Sequence, residues 1–86
     1  MPTESEAFDM GRLRWRCRRG LKELDVLLIP FLETDYADLT PALRIDFAAL
    51  VEEEDVDLLD WLVHGLPAPA AYAALLNILL QRPLHL

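Results

Sequence analysis

The chain has 86 residues, 53% hydrophobic and 27% charged, so we expect one small globular domain. Its formal net charge of −7 argues against nucleic-acid binding, because a phosphate backbone would repel the molecule as a whole. The single cysteine, Cys17, excludes an internal disulfide and a cysteine-based zinc site. A domain of this size folds around one modest core, which leaves no room for a deep catalytic cleft.

Neither end of the sequence predicts a targeting segment or a membrane anchor. The acidic residues 1–10 match neither a secretory signal nor a mitochondrial presequence. Residues 61–81 contain no Asp, Glu, Lys or Arg, but Gly65 and two prolines interrupt them, and the remaining apolar piece is shorter than the ~20 residues of a membrane span. We expect a cytoplasmic monomer that is one helical domain over 1–86, with a flexible tail over 1–8 and a frayed end over 82–86.

The first two predicted helices flank a glycine turn. The first covers about residues 10–19, with Asp9 as N-cap, and Gly20 supplies the positive φ that ends a helix. The second covers about residues 21–35, and Pro30 is expected to kink it because proline lacks an N–H and crowds the preceding turn. The apolar stripe of the second helix consists of Leu21, Leu24, Leu28, Phe31 and Leu32.

Three further helices complete a predicted all-α bundle of five short helices. The third begins with Thr40 as N-cap and Pro41 at the first helical position, and Asp55 caps the fourth. The fifth follows residues 67–69 and ends at Pro83. The apolar faces of these helices are Leu43, Phe47, Leu50 and Val51 in the third, Leu58, Leu59 and Leu62 in the fourth, and Tyr72, Leu75, Leu76, Leu79 and Leu80 in the fifth.

Charge is distributed unevenly along the chain. Six of the eight cationic residues lie between Arg12 and Lys22. From Glu23 to Asp60 there are twelve acidic residues and one basic residue, Arg44. A positive end on an acidic body favours a specific docking surface at the basic end.

The first predicted helix presents an aromatic residue among arginines. With about 100° between successive residues, Met10, Leu13 and Cys17 share the inward face, and Trp15 points away from it. Trp and Arg are frequent binding hot spots, so this surface is a candidate interface. In the alternative, Trp15 folds back against another helix and the arginines only provide solubility. The outer neighbours of Trp15 are Arg12, Arg18 and Arg19, with Arg14 and Arg16 at the flanks.

No other group of residues predicts catalysis or a bound cofactor. Cys17 lies on the inward stripe, where a structural thiol is expected in place of a nucleophile. His64 precedes Gly65 at a helix end and has no histidine nearby that would complete a metal site. Residues 52–55 match no calcium loop, so we interpret them as a solvated acidic run with a helix cap. No Gly-rich phosphate loop is present, and we expect neither an enzyme nor a tightly bound cofactor.

Residues 15–25, Trp-Arg-Cys-Arg-Arg-Gly-Leu-Lys-Glu-Leu-Asp, followed by Ile-Pro-Phe at 29–31, closely resemble the succinate dehydrogenase assembly and flavinylation factors. The hallmark of that family, Arg-Gly-x-x-Glu, is present here at residues 19–23. The resemblance continues through Tyr36 and residues 57–62 and extends over most of the chain. It implies a compact bundle of five helices.

The resemblance also implies a function. Such a chaperone binds the free flavoprotein subunit of succinate dehydrogenase or fumarate reductase and promotes the bond between FAD and a histidine, so that FAD belongs to the partner. Glu23 would form hydrogen bonds near the attachment site, Arg19 would anchor partner carbonyls or carboxylates, and Gly20 would let two backbones approach closely. The partner-binding residues carried over are Arg19, Gly20 and Glu23, with Arg18, Asp25, Trp15 and Arg12 around them.

A second class of function remains open. A small acidic neutraliser, such as the antitoxin of a toxin–antitoxin pair, also needs only a charged docking face. The Arg-Gly-x-x-Glu turn separates the two hypotheses, since a generic neutraliser needs no particular motif.

Overall fold

The structure, a computed structural model, describes residues 9–81, and every regular element within this range is helical. The expectations for the tail at 1–8, the end at 82–86 and Pro83 lie outside the described residues. The all-α architecture of five short helices is confirmed within the range. The helices are α1 (Met10–Cys17), α2 (Lys22–Pro30), α3 (Pro41–Leu50), α4 (Asp55–Leu62) and α5 (Ala73–Gln81).

Two helices begin at the predicted side-chain caps. The carboxylate of Asp9 accepts the backbone N–H of Arg12 at 3.1 Å at the start of α1. The hydroxyl of Thr40 accepts the backbone N–H of Leu43 at 3.3 Å, and Pro41 is the first residue of α3. Both caps satisfy an N–H group that has no partner inside its helix.

Two helix boundaries differ from the prediction. α1 ends at Cys17, two residues early, because Arg18 adopts an extended conformation (φ −84°, ψ 94°). Gly20 has the predicted positive φ, 79°, but it shapes the connection to α2 and does not end α1 directly. The residue that caps α4 is Glu54, without a side-chain bond, so the assignment of Asp55 as the cap was wrong by one position.

The second predicted helix, expected over about residues 21–35, extends three residues further. Residues 22–38, which we call the second helical segment, contain three hydrogen-bonding patterns. The segment begins as α2, changes after Pro30 to a π-helical turn over Phe31–Asp35, and finishes as a 3₁₀ turn over Tyr36–Asp38. Pro30 has no N–H to donate to the preceding turn, and the pattern changes in the turn that follows it. The hydroxyl of Thr34 donates to the Pro30 carbonyl at 2.8 Å within this wider turn.

The core gathers the apolar faces of all five helices. The ring of Phe47 in α3 lies 5.5 Å from the rings of Phe31 and Tyr36, between centroids. Leu80 was wrongly placed on the inward face of the fifth helix: it is 46% exposed, because it lies about 100° around the helix from the buried Leu79. Of the other predicted core residues, Leu21, Leu43 and Leu59 are half-buried.

One arginine fixes the α1–α2 connection to residues 51–55, which we call the acidic turn. Nε of Arg19 donates to the Asp55 carboxylate at 2.6 Å. Its terminal nitrogens donate to the carbonyls of Val51 at 2.6 Å and Glu53 at 2.7 Å. Backbone carbonyls at the end of a helix lack intrahelical partners, so the guanidinium supplies bonds that the C-terminal side of α3 needs. The predicted position of Arg19 on the outer surface was therefore wrong.

The acidic turn also binds α1 and the segment before α5. The carboxylate of Glu52 pairs with Arg12 at 2.7 Å and with Arg16 at 2.9 Å. The carboxylate of Glu53 accepts the hydroxyl hydrogen of Tyr72 at 2.8 Å. The interpretation of residues 52–55 as a solvated run was incomplete: Glu52 and Glu54 are exposed, but three of the four residues also bind other parts of the fold.

Replacing Arg19 with alanine is expected to lower the free energy of unfolding by about 3 kcal/mol, since several charge-assisted hydrogen bonds are lost together. The adjacent Arg18→Ala is the matched control and should cost less than about 0.5 kcal/mol, because that side chain is exposed. Urea titrations followed by circular dichroism measure both values. Equal stabilities of the two variants would contradict the role assigned to Arg19.

The stability of the protein is expected to fall as the pH rises above about 9. Burial raises the pKa of the Cys17 thiol from 9.0 to about 12, so its stabilising contribution is fully present below the unfolded pKa and is lost as the pH rises toward the folded one. Burial also raises the pKa of the Tyr36 and Tyr72 hydroxyl groups, so these two residues contribute to the same loss of stability at high pH.

Cys17→Ser isolates the thiol, because both proteins keep the two tyrosines. The urea midpoint of the wild type should fall more between pH 8 and pH 10.5 than that of Cys17→Ser. The same fall in both proteins would show that Cys17 does not titrate as its burial requires.

Candidate functional site

Trp15 is exposed at the surface of α1. Its exposed fraction is 68%, the highest among the large apolar side chains of residues 9–81, whereas Leu13 and Cys17 are buried. The predicted helical phase is confirmed, and the alternative in which Trp15 folds inward is wrong. The guanidinium of Arg16 lies 4.9 Å from the centre of the Trp15 ring, a cation–π contact, and is itself held by Glu52. This contact restricts the ring before any partner binds, which lowers the entropic cost of binding through it.

Trp15 separates two hollows in the surface. The first, which we call the apolar hollow, has a volume of about 330 Å³ and lies between α1 and the second helical segment. The second, the polar hollow, has a volume of about 480 Å³ and ends at Asp55 of the acidic turn. Arg18 lines both hollows, so it lies with Trp15 at the centre of this surface.

The structure divides the predicted arginines into two groups. Arg12 and Arg19 form ion pairs with the acidic turn, and their predicted role in partner binding stays a prediction. Arg18 is exposed and has no ion pair within residues 9–81. Arg14 shares these properties and lines the apolar hollow, but the predicted site omitted it. Its i, i+4 spacing from Arg18 was the available signal, because such residues lie on one helix face.

The α1–α2 connection carries the remaining predicted site residues. A methyl group at Gly20 would meet no atom within 4 Å, so its positive φ is the only local obstacle to a larger residue. Asp25 accepts the backbone N–H of Arg19 at 2.8 Å and is half-buried, so it closes the turn. Glu23 is exposed in the first turn of α2, as predicted, and lines neither hollow.

Cys17, the single cysteine of the chain, lines the apolar hollow. Burial holds the pKa of Cys17 near 12, so at neutral pH the thiol beneath the apolar hollow is protonated and a poor nucleophile. Across residues 9–81, no three His, Cys, Asp or Glu side chains are grouped closely enough to hold a metal ion. In the same range, no helix has the length and apolar character needed to cross a membrane.

Comparison with known proteins identifies the family. A family model described as the flavinator of succinate dehydrogenase matches residues 11–83. The FAD assembly factor SdhE of Pectobacterium atrosepticum is 35% identical over 78 residues, which are 90% of this chain and 89% of that protein. The protein of the same name from Vibrio cholerae is 45% identical over 60 residues, 69% of this chain and 70% of the relative. With these matches the resemblance is confirmed: the chain belongs to the family of the flavinator of succinate dehydrogenase.

Proposed function

We propose that this protein is an assembly chaperone that binds the free flavoprotein subunit of succinate dehydrogenase and promotes covalent attachment of FAD to it. The observation that carries the proposal is the exposed Trp15, with Arg18 beside it, on a helix fixed to the acidic turn. A large exposed aromatic ring among cations is the composition of a binding hot spot. The names of the family and of its curated relatives support the same function.

The protein acts by binding and not by catalysis. The bond between FAD and a histidine is formed by the flavin and the partner, and the chaperone holds the partner in a conformation that favours it. FAD therefore belongs to the partner, and this chain holds no cofactor tightly. The factor works in the cytoplasm as a monomer, and fumarate reductase, whose flavoprotein subunit poses the same assembly problem, is a second client.

The residues of the α1–α2 connection and the start of α2 have separate tasks. Glu23 is exposed and its side chain makes no hydrogen bond or ion pair with residues 9–81, so its carboxylate is available to the partner. Gly20 presents bare backbone for close approach. Arg19 and Asp25 hold the α1–α2 connection against the acidic turn. Because its guanidinium is used within the fold, Arg19 is less free to anchor the partner.

The antitoxin alternative gains no support from three curated relatives of this chain, each of which is named as a FAD assembly factor. A pull-down from cell extract separates the two functions. Recovery of a flavoprotein dehydrogenase subunit supports the chaperone, and recovery of a small basic protein in its place would support the neutraliser.

Replacing Glu23 with alanine is expected to abolish most covalent flavin on the partner while changing the free energy of unfolding by less than about 1 kcal/mol. The fold tolerates the change because Glu23 is exposed and lies off the buried face of α2. The variant is expressed in cells that lack the native factor. In-gel flavin fluorescence of the dehydrogenase and the melting temperature of the purified variant are both measured.

Glu54→Ala is the matched control, because Glu54 is also exposed, and neither hollow includes it. This control should leave flavin attachment unchanged. Normal flavin attachment with a well-folded Glu23→Ala would overturn the task given to Glu23. A collapsed melting temperature would show that its carboxylate serves the fold.

A further inference from the structure

The floor of the apolar hollow is uncharged and apolar. Ile29 and Leu32 line it from the second helical segment, and Cys17 lines it from α1. Cys17 is fully buried and Leu32 nearly so, whereas Ile29 is half-buried and open to a ligand. A concave surface of this composition gains free energy when an apolar group displaces water from it.

The rim of the hollow is charged, with opposite signs on opposite walls. Arg14 in α1 and Arg18 directly after it stand on one wall, and neither has an ion pair within residues 9–81. Glu33 stands on the other wall, and its side chain has no hydrogen bond or ion pair in the same range. Arg12, Arg16 and Arg19, by contrast, are neutralised by the acidic turn. Unneutralised positive charge is thus placed beside the hollow in a chain whose net charge is −7.

We infer that the apolar hollow receives one apolar side chain of the flavoprotein subunit, and that a carboxylate next to this side chain binds Arg14 and Arg18. The inference rests on the proposed function and specifies which surface of the partner is recognised. Glu33 repels a carboxylate on its own side, so the charges fix the direction in which the partner segment lies across the hollow.

The size of the hollow favours a side chain over a free dinucleotide. At about 330 Å³ it lies at the lower end of the roughly 300–1,000 Å³ that small-molecule sites occupy. Trp15 forms one wall and is already restrained by Arg16, so the pocket exists before binding. A pre-formed pocket beside an aromatic wall is the usual environment of an interface anchor.

The affinity test uses the full-length protein and the purified flavoprotein subunit without its iron–sulfur partner. Trp15→Ala, which removes a wall, should weaken binding about 30-fold, the size expected for a hot spot. Ile29→Thr, which keeps the branched shape but makes the floor polar, should weaken it about 10-fold. Val56→Ala should bind as the wild type does, because Val56 is also exposed (62%) but lies on α4 away from the hollow.

A cross-linking test identifies what enters the hollow. The photoreactive residue p-benzoylphenylalanine replaces Glu33 on the rim, and the cross-linked partner peptide is identified by mass spectrometry. The expected peptide contains an apolar residue and an acidic residue. A peptide without an acidic residue would overturn the inference, as would tight binding by both Trp15→Ala and Ile29→Thr.

These results separate the inference from the proposed function. A wild-type protein that does not bind the flavoprotein subunit would overturn the proposed function itself. A wild type that binds, together with hollow variants that bind equally well, would overturn only the inference. If Ile29→Thr does not fold, Arg14→Glu replaces it, since Arg14 is exposed, and unchanged affinity of that variant would count against the inference.

Discussion

All three nitrogens of the Arg19 guanidinium donate hydrogen bonds within the fold, and the backbone N–H of the same residue donates to Asp25. One residue thereby joins the end of α1, the start of α2 and the acidic turn between α3 and α4. A lysine could not replace it, because a single ammonium group lacks the planar fork that reaches a carboxylate and two carbonyls at once. Only 11% of the side chain is exposed, yet its partner carboxylate stays half in water, which limits the desolvation penalty of the pair.

The arrangement around Arg19 lets the protein expose groups that would otherwise be unfavourable. Trp15 exposes a large apolar ring to water, and the like charges of Arg14 and Arg18 line the same hollow. These features do not stabilise the fold, so their exposure is a cost that a bound partner would offset. Departures from stabilising rules are expected at functional sites. The surface that violates those rules here is the one that we propose for partner binding.

Local rules predicted the parts of the structure that depend on neighbouring residues. The caps at Asp9 and Thr40, the outward Trp15 and the positive φ of Gly20 follow from periodicity and residue type. The direction of Arg19 could not be obtained this way, since the extended Arg18 breaks the helical phase just before it.

Long-range pairing was the second obstacle to prediction. The partners of α1 in the acidic turn are more than thirty residues away in sequence. Helix propensity and spacing carry no information about such pairs, so the ion pairs and hydrogen bonds of residues 52–55 were not predicted. The hollows share this difficulty, because two segments packed in space form the first of them. Family resemblance supplied the function, and geometry then showed which basic residues remain available for it.

The pairing of basic residues with the acidic turn has a kinetic consequence. Arg14 and Arg18 carry positive charge without an ion pair in residues 9–81, on one surface of a molecule whose net charge is −7. The electrostatic field that acts on an approaching partner therefore depends on the direction of approach as well as on the net charge. Such a field orients two proteins during diffusion, before any side chain touches, and it acts on the rate of association more than on the lifetime of the complex. An assembly factor that must find its partner by diffusion benefits from fast, correctly oriented encounters.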